Sequence, residues 1–210
     1  MSDESLRELL ARTLRALESS RYVFYAYSYI VWLIPAGAAA ILGVLLPPSI
    51  VGQALIVFWI VSIAGIVYAE RSIVKRIEAL SLERVGWHIA AWVLAFILGP
   101  IIASMLCMAG LASRQSLGAA SLLISIGIGL LSIVLISLKH DKKSAIYSGL
   151  ADAVLWCVLP ATLSKTSVTE AWYVALAALM VSYSLAATLY LHEALVTVAA
   201  EEAGRDGGHR

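Results

Sequence analysis

Six long apolar stretches separated by short polar connections dominate the pattern of the chain, at roughly residues 22–46, 49–69, 86–112, 116–138, 145–164 and 170–192. A helix needs about 20 apolar residues to cross about 30 Å of hydrocarbon, so each stretch predicts one membrane-spanning helix. The third is long enough to predict a tilt. The fifth is the weakest, because Asp152 interrupts it.

Residues 2–20 follow a different pattern. Leu6, Leu9, Leu10, Leu14 and Leu17 share one helical face, with charged residues on the other. Ser5-Leu6-Arg7-Glu8 fits a capping box, and Glu8 precedes Arg12 by four positions, the favourable order for a helical ion pair. This predicts an amphipathic helix, either lying on the membrane surface or docking a partner. Ile73, Ile77 and Leu80 predict that the second span continues beyond the bilayer as another amphipathic segment. Glu193 to Ala203 is expected to prolong the sixth span until Gly204 ends it, with the last residues disordered.

The fold class that follows is all-α: a polytopic bundle of six transmembrane helices arranged as three hairpins, plus an amino-terminal amphipathic helix. The expected organisation is a cytoplasmic helix over 1–21, a membrane domain over 22–193 and a tail over 194–210.

Composition agrees. Hydrophobic residues make up 61% and charged residues 14%, with a mean hydropathy of +0.88; soluble domains average about 45–50% and about 25%. The net charge of +1 gives no basic excess for nucleic acid. What matters is where the charges lie. Thirteen of the 15 Lys and Arg residues fall before the first span, between spans two and three, between four and five, or after the sixth. Only Arg114 and Lys165 lie in the other connections. Positive residues stay on the cytoplasmic side, so both ends are expected there, in a cell-membrane protein without a secretory signal. Asn is absent and Gln occurs only at Gln53 and Gln115. Thermophilic origin and apolar spans both predict that depletion.

The connections on the opposite side are short: Pro47-Pro48, Ser113 to Gln115, and Lys165 to Thr169. Each odd-numbered span carries an interior proline, Pro35, Pro100 or Pro160, with Tyr22, Trp87 or Tyr147 thirteen positions before it. The pattern reads either as a threefold repeat of a two-helix unit or as the ordinary frequency of proline and interfacial aromatics in spans. Three kinks at similar depth open a central cavity or improve packing, and the prolines are candidate transport residues on that ground. Small residues recur every three or four positions at Ala36, Ala40 and Gly43, at Ser121, Ser125 and Gly129, and at Ala178, Ser182 and Ala186. Such stripes let helices approach closely, within the bundle or between subunits of a homo-oligomer.

Candidate chemistry is sparse. Asp152 is the one carboxylate well inside a span, and an ionisable group there has a functional reading by default. Nine residues beyond Lys143, it is expected about 13 Å from the inner boundary, where water or Lys142, Lys143 or Arg84 would satisfy it. His88, His140 and His192 lie at inner helix ends, on separate helices and at no diagnostic metal spacing. Cys107 and Cys157 read as small packing residues whose helical registers are too far apart for a disulfide. No phosphate loop, HExxH or GxSxG motif occurs, and no cofactor is expected.

The function expected first is a membrane subunit of a transport machine, a permease or pore-forming part worked by a cytoplasmic partner such as an ATPase. Leu6, Leu10, Leu14, Leu17, Arg71 and Arg76 are the expected docking residues. The alternatives are a membrane-embedded enzyme acting at the inner interface through Asp152 and the histidines, a structural or assembly protein, and a stand-alone small-solute carrier.

Overall fold

The computed structural model describes residues 3–80 and 86–207, which are helical apart from short connections and include no strand. Helix α1 spans Asp3–Leu45, α2 Pro48–Leu80, α3 Gly86–Met108, α4 Leu117–His140, α5 Lys142–Leu163 and α6 Val168–Gly207. Six of these segments are long and apolar enough to cross a membrane. Outward-facing Val57, Ile60, Val61, Val93, Leu94 and Ile97 would be costly to hydrate, which suits a chain immersed in lipid.

Local chemistry sets the helix ends. Pro47-Pro48 separates α1 from α2, and Pro48 occupies the first position of α2, where its missing N–H loses no bond. The third apolar stretch is expected to run to residue 112, but α3 stops at Met108. Gly110, at φ 74°, is the reason. Its N–H bonds the Cys107 carbonyl while the Leu111 N–H reaches back to Leu106, a Schellman closure that needs a left-handed residue. Conversely, α5 starts at Lys142 rather than 145, because the Asp141 carboxylate accepts the Ser144 N–H at 3.1 Å and caps the new helix. Gly204 does not end α6, which continues to Gly207. A lone glycine weakens a helix by about 1 kcal/mol and does not by itself stop it.

The expected separate amphipathic helix is not a separate element either: α1 runs unbroken from Asp3 through Leu45. At 1.5 Å per residue, α1 is about 65 Å long, α2 about 50 Å and α6 about 60 Å, whereas α3, α4 and α5 are each about 33–36 Å. All three long helices overhang at the same end, away from the turns that join α1 to α2, α3 to α4 and α5 to α6. That turn end is tied together by the Ser113 N–H and the Ser116 hydroxyl, which both donate to the Leu163 carbonyl.

Helices α4 and α6 occupy the middle of the bundle and are the most enclosed. Helix α6 packs along α1 and α5, α4 packs between α3 and α5, and α2 leans on α1 alone among the closer pairs. Backbones approach where side chains are small. A Cβ at Gly99 would lie 2.0 Å from Ser125 Oγ, one at Gly129 2.5 Å from the Trp92 ring, and one at Gly127 2.9 Å from the Trp156 ring. The small stripes therefore act inside the bundle: Ser121 and Ser125 face Gly99, Gly129 receives Trp92, and Gly43 touches Tyr173. Buried Ser182 donates to the Ala151 carbonyl of α5 at 2.8 Å.

Candidate functional site

The densest polar cluster lies where α1, α5 and α6 meet, and it begins at the overhanging end. Arg21 on α1 pairs with Asp141, the cap of α5, at 2.9 Å, and its guanidinium also bonds and stacks over Tyr25. Lys143 on α5 pairs with Glu193 on α6, whose second carboxylate oxygen accepts the Tyr147 hydroxyl at 2.7 Å. Lys143 reaches solvent while the Glu193 carboxylate is largely enclosed, so the lysine and tyrosine are what make its charge tolerable there.

One turn deeper the charges give way to hydroxyls. Tyr190 of α6 sits 2.5 Å from Ser144 Oγ and 3.1 Å from Ser148 Oγ, both on α5. Ser148 in turn lies 2.9 Å from the Tyr29 hydroxyl of α1. The four side chains are buried, and together they form one continuous hydrogen-bonded chain across three helices. Rings hold it in place. Tyr190 packs against Tyr22, Tyr25, Tyr29 and Tyr147 at centroid distances of 6.2, 5.4, 5.8 and 5.3 Å. Tyr29 meets Tyr183 edge-on at 5.4 Å, and Trp32 carries the cluster across to Trp92 on α3.

Asp152 follows Ser148 by one helical turn. It is 6% exposed, and its Oδ1 has no hydrogen-bond partner among the described residues. Trp156 follows it by a further turn along α5, and the Tyr29 hydroxyl lies 2.9 Å from Ser148, one turn before it. Asp152 sits ten residues from the first residue of α5 and eleven from the last, the middle of the helix. The expected lysine partner Lys143 is engaged by Glu193, Lys142 is exposed, and Arg84 lies outside the described residues.

The other candidates separate. Pro35 is buried whereas Pro100 and Pro160 face outward, so the three prolines do not line a common cavity. A small cleft at the turn end, between Ala39, Gly43, Leu55 and Trp172, holds about 10 Å³, space for one water. His192 is exposed; the side chains of Leu6, Arg76, His88 and His140 lie outside the described part of the structure. No three His, Cys, Asp or Glu side chains among the described residues converge as a metal site. Leu10 and Leu14 are exposed at 61% and 58%, Leu17 is half-buried, and Arg71 is exposed. Cys107 is half-buried, but Cys157 is exposed, so it is not the packing residue its apolar context suggested.

Sequence reading misses the hydroxyl chain, because each tyrosine alone looks like an interfacial aromatic. The signal was present in the spacing of Tyr22, Tyr25, Tyr29 and Trp32 along one face of α1, and of Ser144, Ser148 and Asp152 every four residues on α5. No family model matches the chain, and neither any curated protein nor any solved structure matches it.

Proposed function

We propose that this chain is a multi-pass membrane subunit of a transport machine, the permease or pore-forming component, working with a cytoplasmic partner such as an ATPase. One observation carries the reading: α1, α2 and α6 overhang the bundle at one common end, and the basic residues of the connections collect at that end. The positive-inside rule makes that end cytoplasmic, so the helices form three hairpins whose turns face outward from the cell membrane. Residues 3–20 of α1 then project about 27 Å past the inner boundary. On that segment Leu9, Leu10 and Leu14 are more than half exposed, an amphipathic face suited to a partner, and Arg71 on α2 is exposed as well. The chain has no nucleotide-binding motif of its own, so driving energy would come from that partner.

The test is purification of the tagged protein from its native membrane in mild detergent. Stoichiometric recovery with a subunit that hydrolyses nucleotide supports the reading. A lone, stable monomer overturns it.

Close packing favours a second reading, a structural or assembly subunit, since Gly99, Gly127 and Gly129 leave no room for a Cβ between helices. In that case deletion would disturb the complex without abolishing flux. The interfacial-enzyme reading loses support, because Asp152 lies at mid-helix and His192 on the exterior.

A further inference from the structure

We propose that Asp152 is a proton-binding site at the middle of the membrane, loaded from the overhanging end of the bundle through the hydroxyl chain Ser144–Tyr190–Ser148. Three independent features of the geometry meet here. Asp152 is more than nine-tenths buried and leaves Oδ1 without a partner among the described residues. A carboxyl group in that position is costly unless it has a use. Next, the hydroxyl chain ends one helical turn from it on the same face of α5, with contacts of 2.5 Å and 3.1 Å along its length. Finally, the chain opens where Arg21, Asp141, Lys143 and Glu193 gather, the only charged cluster against this part of the bundle among the described residues.

Each hydroxyl in the chain can accept a proton on a lone pair while giving up its own. A proton arriving at Ser144 Oγ releases that hydroxyl's proton to Tyr190. Tyr190 passes its own to Ser148, and Ser148 passes one onward to Oδ1 of Asp152. At every step one O–H bond forms as another breaks, so the net movement is one proton and no electron. The last step covers one helical turn, about 5–6 Å between Cβ atoms, and requires one bridging water. Rotation of the hydroxyls then resets the chain. The Tyr190 hydroxyl has a second acceptor for this, the Ser144 carbonyl at 3.2 Å.

The groups that face Asp152 are consistent with proton rather than metal chemistry. Tyr29 of α1, which meets Ser148 one turn before Asp152, is backed by the rings of Tyr183 and Tyr190 from α6, and none of these is a cation or a carboxylate. The only ionisable side chains of α4 are Lys139 and His140, at its far end. Among the described residues no group of three His, Cys, Asp or Glu side chains forms there to hold a divalent cation. The proposal deepens the transport reading by supplying a coupling ion, yet it holds or fails without any partner protein.

The experiment uses the full chain in lipid vesicles, with orientation fixed by protease access to the end of α6. The probe is a hydrophobic carbodiimide, which enters through lipid, adds the carboxyl O–H across a C=N bond and rearranges to a stable N-acylurea. Mass spectrometry of peptides reads the adduct at Asp152. The protonated-to-ionised ratio changes about tenfold per pH unit. Labelling should therefore follow the pH on the overhanging side and ignore a pH step on the turn side. In the Tyr190→Phe/Ser148→Ala variant, the labelling should lose that dependence while Asp152 stays accessible to the reagent. Labelling that follows the turn side, or follows neither side, overturns the proposal, and the wild-type chain alone decides that. A variant that still tracks the overhanging side overturns the route and shows that the hydroxyls only bind helices together.

Discussion

Tyr190 and Ser148 hold their hydroxyl oxygens 3.1 Å apart on facing sides of α6 and α5, and the same serine reaches Tyr29 on α1 at 2.9 Å. One tyrosine thus links three helices through a buried hydroxyl network and four ring contacts.

Replacing that tyrosine separates the two contributions. Tyr190→Phe keeps the rings packed and loses only hydroxyl bonds, which in membrane proteins average about 0.6 kcal/mol each, so the loss should be about 1 kcal/mol. Tyr190→Ala also opens a cavity and should cost about 3–5 kcal/mol. Reversible unfolding in mixed micelles, titrated with SDS, measures both. Equal losses would place the stabilisation in the hydroxyl rather than in the ring.

Glycine positions test the close approaches. Gly99→Ala puts a methyl against Ser125 Oγ and backbone within 2.8 Å, so it should cost about 1–3 kcal/mol. Gly65→Ala in α2 meets nothing within 4 Å and should gain about 0.5–1 kcal/mol through helix propensity. The same unfolding assay distinguishes them by sign.

Lys143 and Glu193 should not respond alike. Lys143→Ala strands an enclosed carboxylate with Tyr147 alone, whereas Glu193→Gln leaves a lysine that already reaches solvent. The lysine change should therefore destabilise by about 1–2 kcal/mol, and the glutamate change by less than half as much. The double variant Lys143→Ala/Glu193→Gln should recover part of the loss, measured as coupling in a double-mutant cycle.

Asp152 should show the opposite trade. If its place in the core serves function, Asp152→Leu removes an unpartnered polar atom and should stabilise the bundle by about 1–2 kcal/mol, while carbodiimide labelling on α5 disappears. A clear loss of stability in Asp152→Leu would make the residue a structural anchor.

Much of the architecture was legible in the sequence, because lipid leaves few ways to satisfy a backbone and long apolar runs must become helices. Helix ends were less so. Gly110 and Asp141 act through a left-handed turn and a cap, each set by one residue among similar neighbours, while Gly204 carries the same letter without a turn. The site was legible only in part. Asp152 stood out by charge, but its neighbours depend on which face of α1 and α6 meets α5, and hydropathy contains no such information. The three prolines looked equivalent along the chain and differ in space, since burial of Pro35 and exposure of Pro100 and Pro160 follow from neighbours distant in sequence.

The proposed docking of a cytoplasmic protein on the exposed leucine face of α1 has a direct test. A photoreactive amino acid placed at Leu14, 58% exposed in the isolated chain, tests it in the native membrane. The account predicts, on illumination, a single covalent adduct with a nucleotide-hydrolysing protein, weakened when Leu10→Glu is added. Adducts with lipid alone, unchanged by Leu10→Glu, would contradict it.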